Sequence, residues 1–251
     1  MTRKLDWDYT QLAATYTNRP PYSPQVVDTI VAAPGRPRPR TADIGAGNAH
    51  LTVDLLARGC VVDAVEPNAA MREIGMARTA GSDRVTWIDA VAEDNGLPDG
   101  TYDLVAYGSA FSTTRREEAL KESARILRPD GWFACIWNHR VLDDPLQARI
   151  EALIRDRIPG YSYGVRREDQ QPLIEGSGLF GTVTRLDQAI TFRLPAQDWL
   201  DAWRSHGTLQ RQAGARFGEI IDEIEKVVGT TGADPIEIPY RTVGWMARRA
   251  A

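Results

Sequence analysis

Among its 251 residues the chain has two cysteines and three histidines, no long apolar run and no excess of positive charge, and each shortage closes a class of function. There are two cysteines, Cys60 and Cys135, both in apolar strand-like runs with no metal-ligand spacing around them, so buried thiols are expected and metal ligation is not. No stretch approaches the ~20 consecutive apolar residues that a membrane span needs. The opening "MTRKLDWDYTQLAATY" has no apolar core before a small-residue cleavage site, so a secretory signal is not expected and a cytoplasmic location is. Basic residues number 30 against 34 acidic ones, a net charge of −4, and they form no concentrated face in the linear sequence. That balance argues against a nucleic-acid partner and suits a neutral or cationic small molecule. Internal repeats and low-complexity tracts are missing too, and homo-oligomerisation stays open.

What is present is an ordinary globular composition, 43% apolar and 25% charged, on a length that suits one large α/β domain with an elaboration. Residues 9–31 carry apolar groups at helical spacing around a break at Pro20 and Pro21, which predicts two short helices joined by a turn. "APGRPRPR" then reads as a linker. From there the period changes: "TADIG", "VVDAVEP", "RVTWIDA", "YDLVAYG" and "WFACIWN" are strand-like, and helical patterns lie between them. This alternation predicts a Rossmann-like doubly wound sheet, mostly parallel and covered on both faces. Beyond Asn138 it stops. Two long strand patterns, "GTVTRLDQAITFRL" and "IEIPYRTVGWMARR", should pair antiparallel at one edge of the sheet, and the helices between them should cap its C-terminal ends. The expected organisation is a single domain over 1–251: an N-terminal helical lid (1–35), a cofactor-binding core (38–140), a helical cap with an edge strand (141–230) and a C-terminal strand (231–251).

Ligands of open α/β sheets bind outside the carboxyl ends of the strands, so the residues just after each strand are read together. After the first come Asp43, Gly45 and Gly47, where missing side chains let a ligand approach backbone beside a helix N-terminus. After the second come Glu66 and Pro67. Glu66 stands 23 residues beyond Asp43, placed to accept hydrogen bonds from two ribose hydroxyls. After the third, backbone at Ala92 and Glu93 is placed to read an adenine edge. A dinucleotide loop would show a third glycine, G-x-G-x-x-G, but here His50 occupies that place. The loop instead reads D-x-G-x-G, and a carboxylate ahead of the glycines suits a cofactor with an ammonium and a sulfonium rather than a diphosphate. Charge chemistry thus points to S-adenosylmethionine (SAM).

At these residues the sequence resembles the class I SAM-dependent methyltransferases, in particular the small-molecule branch called methyltransferase type 11. The resemblance runs through "TADIGAGNAHLT", "DAVEPN", "AVAEDNGLPDGTYDLV", "RILRPDGWFACIWN", the terminal "IPYRTVGWMARR" and the N-terminal "YTQLAATYTNRPPYSP", which looks like that branch's lid. It implies that Asp43, Gly45 and Gly47 hold the methionine moiety, Glu66 the ribose and Ala92 with Glu93 the adenine, while Gly108 to Phe111 form the rim after the fourth strand. Two departures stand out. The family usually has Gly at Ala49, where a methyl group is tolerable if the backbone is right-handed, and the branch often has His-Trp at Ser112 and Thr113.

On the acceptor side, Tyr9 and Tyr16 share a helical face and could close over a sulfonium, and His139 is the best-placed base among three histidines. Arg19, Tyr22, Phe111, Trp137, Asn138, Trp203 and His206 are the candidates for lining the acceptor pocket, and His50 is expected to be solvated. Methyl transfer to nitrogen, less so oxygen or carbon, of a specialised metabolite is the leading expectation, with S-adenosylhomocysteine as product and no strong base required. Two rivals are a SAM-binding protein that has lost transfer and an NAD-dependent oxidoreductase.

Overall fold

The computed structural model describes residues 9–250, so the first eight residues of the expected lid lie outside them. A 3-10 turn at Thr10–Leu12 leads into one helical turn, α1 (Ala13–Tyr16). Pro20 and Pro21 then separate it from α2 (Pro24–Ala32), whose first residue is a proline that lacks only an N–H the helix would leave unpaired anyway. The core alternates: β1 (Arg40–Ile44), α3 (His50–Ala57), β2 (Val61–Val65), α4 (Ala69–Thr79), β3 (Val85–Ile88), β4 (Tyr102–Gly108), α5 (Arg116–Ile126) and β5 (Leu127–Arg140). The Asn68 side chain starts α4 by accepting from the Met71 N–H at 3.1 Å. The rest of the chain supplies α6 (Pro145–Arg157), α7 (Gln171–Gly176), β6 (Thr184–Leu194), α8 (Ala196–Arg204), α9 (Gly207–Ala213), α10 (Phe217–Gly229) and β7 (Ile236–Arg248).

The seven strands run in the order β3-β2-β1-β4-β5-β7-β6, parallel from β3 to β5 and antiparallel at the β5/β7 and β7/β6 pairings. The chain reverses between β1 and β4, which makes their carboxyl ends the switch point where such sheets bind ligands. Central strands are buried on both faces, as parallel strands must be. Val105, Tyr107, Phe133 and Cys135 face one core with α5, while Leu104, Ala106, Ala134 and Ile136 face the other with α2 and α3. Both cysteines are buried and unpaired.

A third core lies beyond the sheet, where Trp199, Trp203, Ile220, Ile224 and Ile154 of the cap helices meet. β7 joins it to the sheet. Its first half, Ile236, Ile238 and Tyr240, belongs to the cap core, and its second half, Val243, Trp245 and Ala247, to the sheet core. β5 follows it as far as the Arg140↔Tyr240 pair, so the end of β5 projects under the cap instead of stopping at the sheet rim. This overhang builds the floor of a second cavity beside the switch point. No helix among the described residues is long and apolar enough to cross a membrane.

Candidate functional site: two adjoining cavities

The loop after β1 turns through three left-handed residues, Gly45 (φ 69°), Gly47 (φ 57°) and Ala49 (φ 73°). A Cβ on Gly45 would fall 2.4 Å from the Ala110 Cβ, so only glycine fits there. The Glu66 carboxylate braces the loop: one oxygen accepts from the Gly47 N–H and the other from the Asn68 N–H, both at 2.8 Å. Each oxygen keeps a lone pair for a further donor. Burial pushes the Glu66 pKa up, and the two backbone donors oppose it.

Around this loop opens a cavity of about 360 Å³, in the range of small-molecule sites. Gly45, Gly47, Glu66, Pro67, Ala92, Glu93 and Gly108 all line it, together with Tyr9 and Tyr16 of the lid. Glu93 uses its carboxylate to accept from the Arg115 N–H at 2.7 Å, which leaves the backbone of Ala92 and Glu93 to face a ligand. Asp43 departs from expectation. It lies fully buried beneath the loop and does not line the cavity, with one oxygen bonded to Thr52 Oγ1 at 2.6 Å and the other, Oδ1, without a partner. Burial raises its pKa to about 7, against the Thr52 bond and with the help of the Glu66 charge. An orphaned, buried carboxylate oxygen below a glycine cradle fits a ligand that brings a positive group to the loop.

Ala49 is a second correction. The tolerance expected for a right-handed alanine does not apply, because the residue is left-handed and fully buried at the start of α3. Glycine is the residue this backbone favours. His50, expected in solvent, is instead half-buried: its Nε2 bonds to the Tyr16 carbonyl at 3.0 Å, and burial, with Arg78 and Arg19 nearby, lowers its pKa to about 4.

A second cavity, about 80 Å³, lies between the lid, the end of β5 and the cap. Of the expected acceptor residues, Arg19, Tyr22, Asn138, Trp203 and His206 line it. His206 also caps α9, its Nδ1 accepting from the Leu209 N–H at 3.1 Å. Three expected residues lie elsewhere. Phe111 and Trp137 are fully buried in the sheet core, Phe111 edge-on to Tyr107 and Phe133, and Trp137 donating to Ser112 Oγ. His139 alternates with Asn138 and Arg140 along β5 and so faces away from the cavity that both of them line. Its Nε2 holds the Arg166 carbonyl at 3.0 Å, and burial with Arg166 and Arg167 lowers its pKa to about 3. The ring therefore does not face the cavity in which a catalytic role was expected of it.

Ser109 belongs to the rim expected at Gly108 to Phe111, whereas three arginines went unread in the sequence. Ser109 directly follows Gly108 at the switch point; it has φ 65° and shares a hydrogen bond with the Tyr22 hydroxyl at 2.9 Å. Tyr16 and Ser109 line both cavities, so the two are chambers of one site. Arg140 comes two residues after Asn138 on the same strand face, a spacing that could have disclosed it. Arg166 and Arg167 sit in a 3-10 turn, Gly164–Arg167, where no periodicity marks them. With Arg19, these make four guanidiniums around the second cavity, and no carboxylate among the described residues lines it. The net negative charge of the chain therefore does not describe this wall, which is basic.

A family model described as a methyltransferase domain matches residues 42–135, the stretch from β1 to β5 that builds the first cavity. With the sheet topology, that stretch is similar to a methyltransferase domain in both sequence and fold. An uncharacterised methyltransferase of Mycobacterium tuberculosis, Rv3342, is 35% identical over 122 residues, 49% of this chain and 48% of that protein. The uncharacterised methyltransferase YcgJ of Bacillus subtilis is 29% identical over 186 residues, 71% of this chain and 69% of that protein, and its crystal structure overlays with a TM-score of 0.55 at 18% identity over 90% of this chain and 99% of that one. A Haemonchus contortus phosphoethanolamine N-methyltransferase, solved with S-adenosylhomocysteine, overlays at TM-score 0.52 and 12% identity over 90% of this chain and 53% of that one, which bears on fold alone. The chain spans about half the length of the first curated relatives it matches.

Proposed function

We propose that the chain transfers a methyl group from SAM to a nitrogen of a small specialised metabolite held in the second cavity. The observation that carries this reading is the sharing of Tyr16 and Ser109 by the two cavities, which gives one molecule in each a common boundary. SAM is the methyl donor and is consumed as a substrate. Glu66 would take the ribose hydroxyls on its free lone pairs, backbone at Ala92 and Glu93 the adenine, and the Gly45–Gly47 cradle over Asp43 the methionine end. Tyr16 and Tyr9, edge to face with centroids 5.8 Å apart, would close over the sulfonium.

The acceptor's nitrogen lone pair forms the new N–C bond as the S–C bond breaks. The S–C electron pair stays on sulfur to give S-adenosylhomocysteine, and a primary or secondary amine then releases its proton to water. No side-chain base is needed, because a cavity walled by guanidiniums disfavours an ammonium and keeps the lone pair free. The protein's part is alignment and exclusion of water. The whole chain would act as one unit, with the lid (1–35) and cap (141–230) closing a core (38–140) completed by the last strand (231–251).

Incubation with SAM and a panel of small amines tests this, read as S-adenosylhomocysteine release and an N-methylated product. SAM that binds but is never consumed favours the transfer-deficient reading, and a product methylated at oxygen or carbon overturns the nitrogen assignment. Thermal stabilisation by NAD and not by SAM or S-adenosylhomocysteine would sink the donor assignment.

A further inference from the structure

We propose that the acceptor is an oxyanion, a small flat molecule whose carboxylate or phosphate is taken by Arg140 and Arg166; the inference deepens the methyltransferase reading and rests on it for the word acceptor. Arg140 is 7% exposed, and its Nη1 has no hydrogen-bond partner. Its Nη2 donates to the Tyr163 hydroxyl at 2.7 Å, and the guanidinium stacks 4.0 Å from the centre of the Trp203 ring. The Arg166 side chain makes no hydrogen bond or ion pair with any described residue, although it lines both this cavity and a smaller adjoining one. Burial and the neighbouring Arg19 hold Arg166 below the ordinary arginine range. Arg19 and Arg167 are partly satisfied, by Ser205 and by the Arg140 carbonyl at 3.0 Å.

One carboxylate approaches this group, Glu151 at 3.7 Å from Arg140, and it is already shared with Arg155 at 2.9 Å and with the Tyr163 hydroxyl. A buried guanidinium nitrogen without a partner, as at Arg140 Nη1, is costly, and four guanidiniums together repel one another. That cost is maintained by construction: His139 Nε2 pins the Arg166 carbonyl, and Arg167 is tied to β5. A bound oxyanion removes it, giving Arg140 Nη1 and the Arg166 fork the acceptor atoms they lack. The two histidines in the wall do not add positive charge, since burial lowers the pKa of both His50 and His206. Trp199, Trp203 and Tyr240 supply an apolar aromatic surface for the rest of the ligand, and the small cavity volume restricts it to a small molecule.

The test is calorimetric titration of the full chain, with and without S-adenosylhomocysteine, using benzoate, phenyl phosphate, benzamide and benzylamine as probes. Benzoate or phenyl phosphate should bind about tenfold or more tightly than benzamide, with benzylamine weakest. Preference between the two anions identifies carboxylate or phosphate as the group. Arg166→Gln should weaken the preferred anion by about tenfold while leaving S-adenosylhomocysteine affinity unchanged, since Arg166 does not line the first cavity. Arg140→Met should do the same where it folds. Equal binding of benzoate and benzamide, tighter binding of benzylamine, or an Arg166→Gln variant that holds the anion as well as the parent would each overturn the proposal. Failure of S-adenosylhomocysteine to bind, with anion binding intact, would instead count against the methyl-donor reading.

Discussion

The two cavities of this site are made in different ways. The first is assembled from short, consecutive segments at strand ends, and much of its wall is main chain: Gly45, Gly47, Ala92, Glu93 and Gly108, with Glu66 as the one carboxylate that braces the loop. The second is assembled from side chains far apart in sequence, Arg19 on the lid, Arg140 at the end of β5, Arg166 in a loop and Trp203 in the cap. A main-chain site tolerates little variation, because its shape is set by backbone dihedrals and by missing Cβ atoms. A side-chain site on lid and cap can change its charge and size without disturbing the sheet. The family model covers the first kind of wall: it matches residues 42–135 and stops before Arg140 and the cap begin.

The contrast would break most visibly at Glu66. Glu66→Ala removes the acceptor of two loop N–H groups and of the ribose hydroxyls at once, and should weaken S-adenosylhomocysteine binding about a hundredfold in calorimetry, with anion binding in the second cavity retained. An unchanged dissociation constant would refute the ribose assignment.

Asp43 offers a smaller effect with a pH signature. Its folded pKa is raised from 3.8 to about 7, so the folded state holds the proton more tightly than the unfolded chain does. The stability tied to that proton is fully present below the unfolded value near 4 and is lost as pH rises through about 7. Ionised Asp43 is also the form that would attract SAM's ammonium across the loop. SAM should therefore bind more tightly as pH rises from 6 to 8. Asp43→Asn should flatten that dependence, lower affinity at pH 8 by about tenfold and relieve the loss of stability at high pH. A variant that keeps the slope would show that another group titrates.

The legibility of the sequence follows the same division. Alternating strand and helix patterns carried the sheet, and the strand-end rule carried Glu66, Pro67 and Gly108 to the first cavity. It failed where a side chain's direction, rather than its place in the chain, decides. Phe111, in the turn after β4, and Trp137, inside β5, both point into the sheet core, and a period-2 count along β5 separates His139 from Asn138 and Arg140. Whole-chain charge failed for a related reason: most acidic groups face solvent or pair with surface arginines, as Asp28 does with Arg58, and say nothing about a cavity that excludes them. The left-handed turn at Ala49 was hidden because an alanine in the motif gives no sign of its φ.

Ala49 gives the finest test of how far backbone rules the first cavity. Ala49→Gly relieves a left-handed strain of roughly 1–2 kcal/mol. It also adds about 0.4–1 kcal/mol of unfolded-chain entropy and removes a buried methyl group worth about 0.8 kcal/mol. These terms nearly cancel, so the melting temperature should move by no more than about 2–4 °C. Ala49→Val has no such compensation, because a β-branched residue at φ 73° is a severe outlier, and it should lose several times as much while weakening S-adenosylhomocysteine. If valine is accepted as readily as glycine, the loop does not hold the left-handed turn at Ala49, and the first cavity owes less to its main chain than the contrast with the second requires.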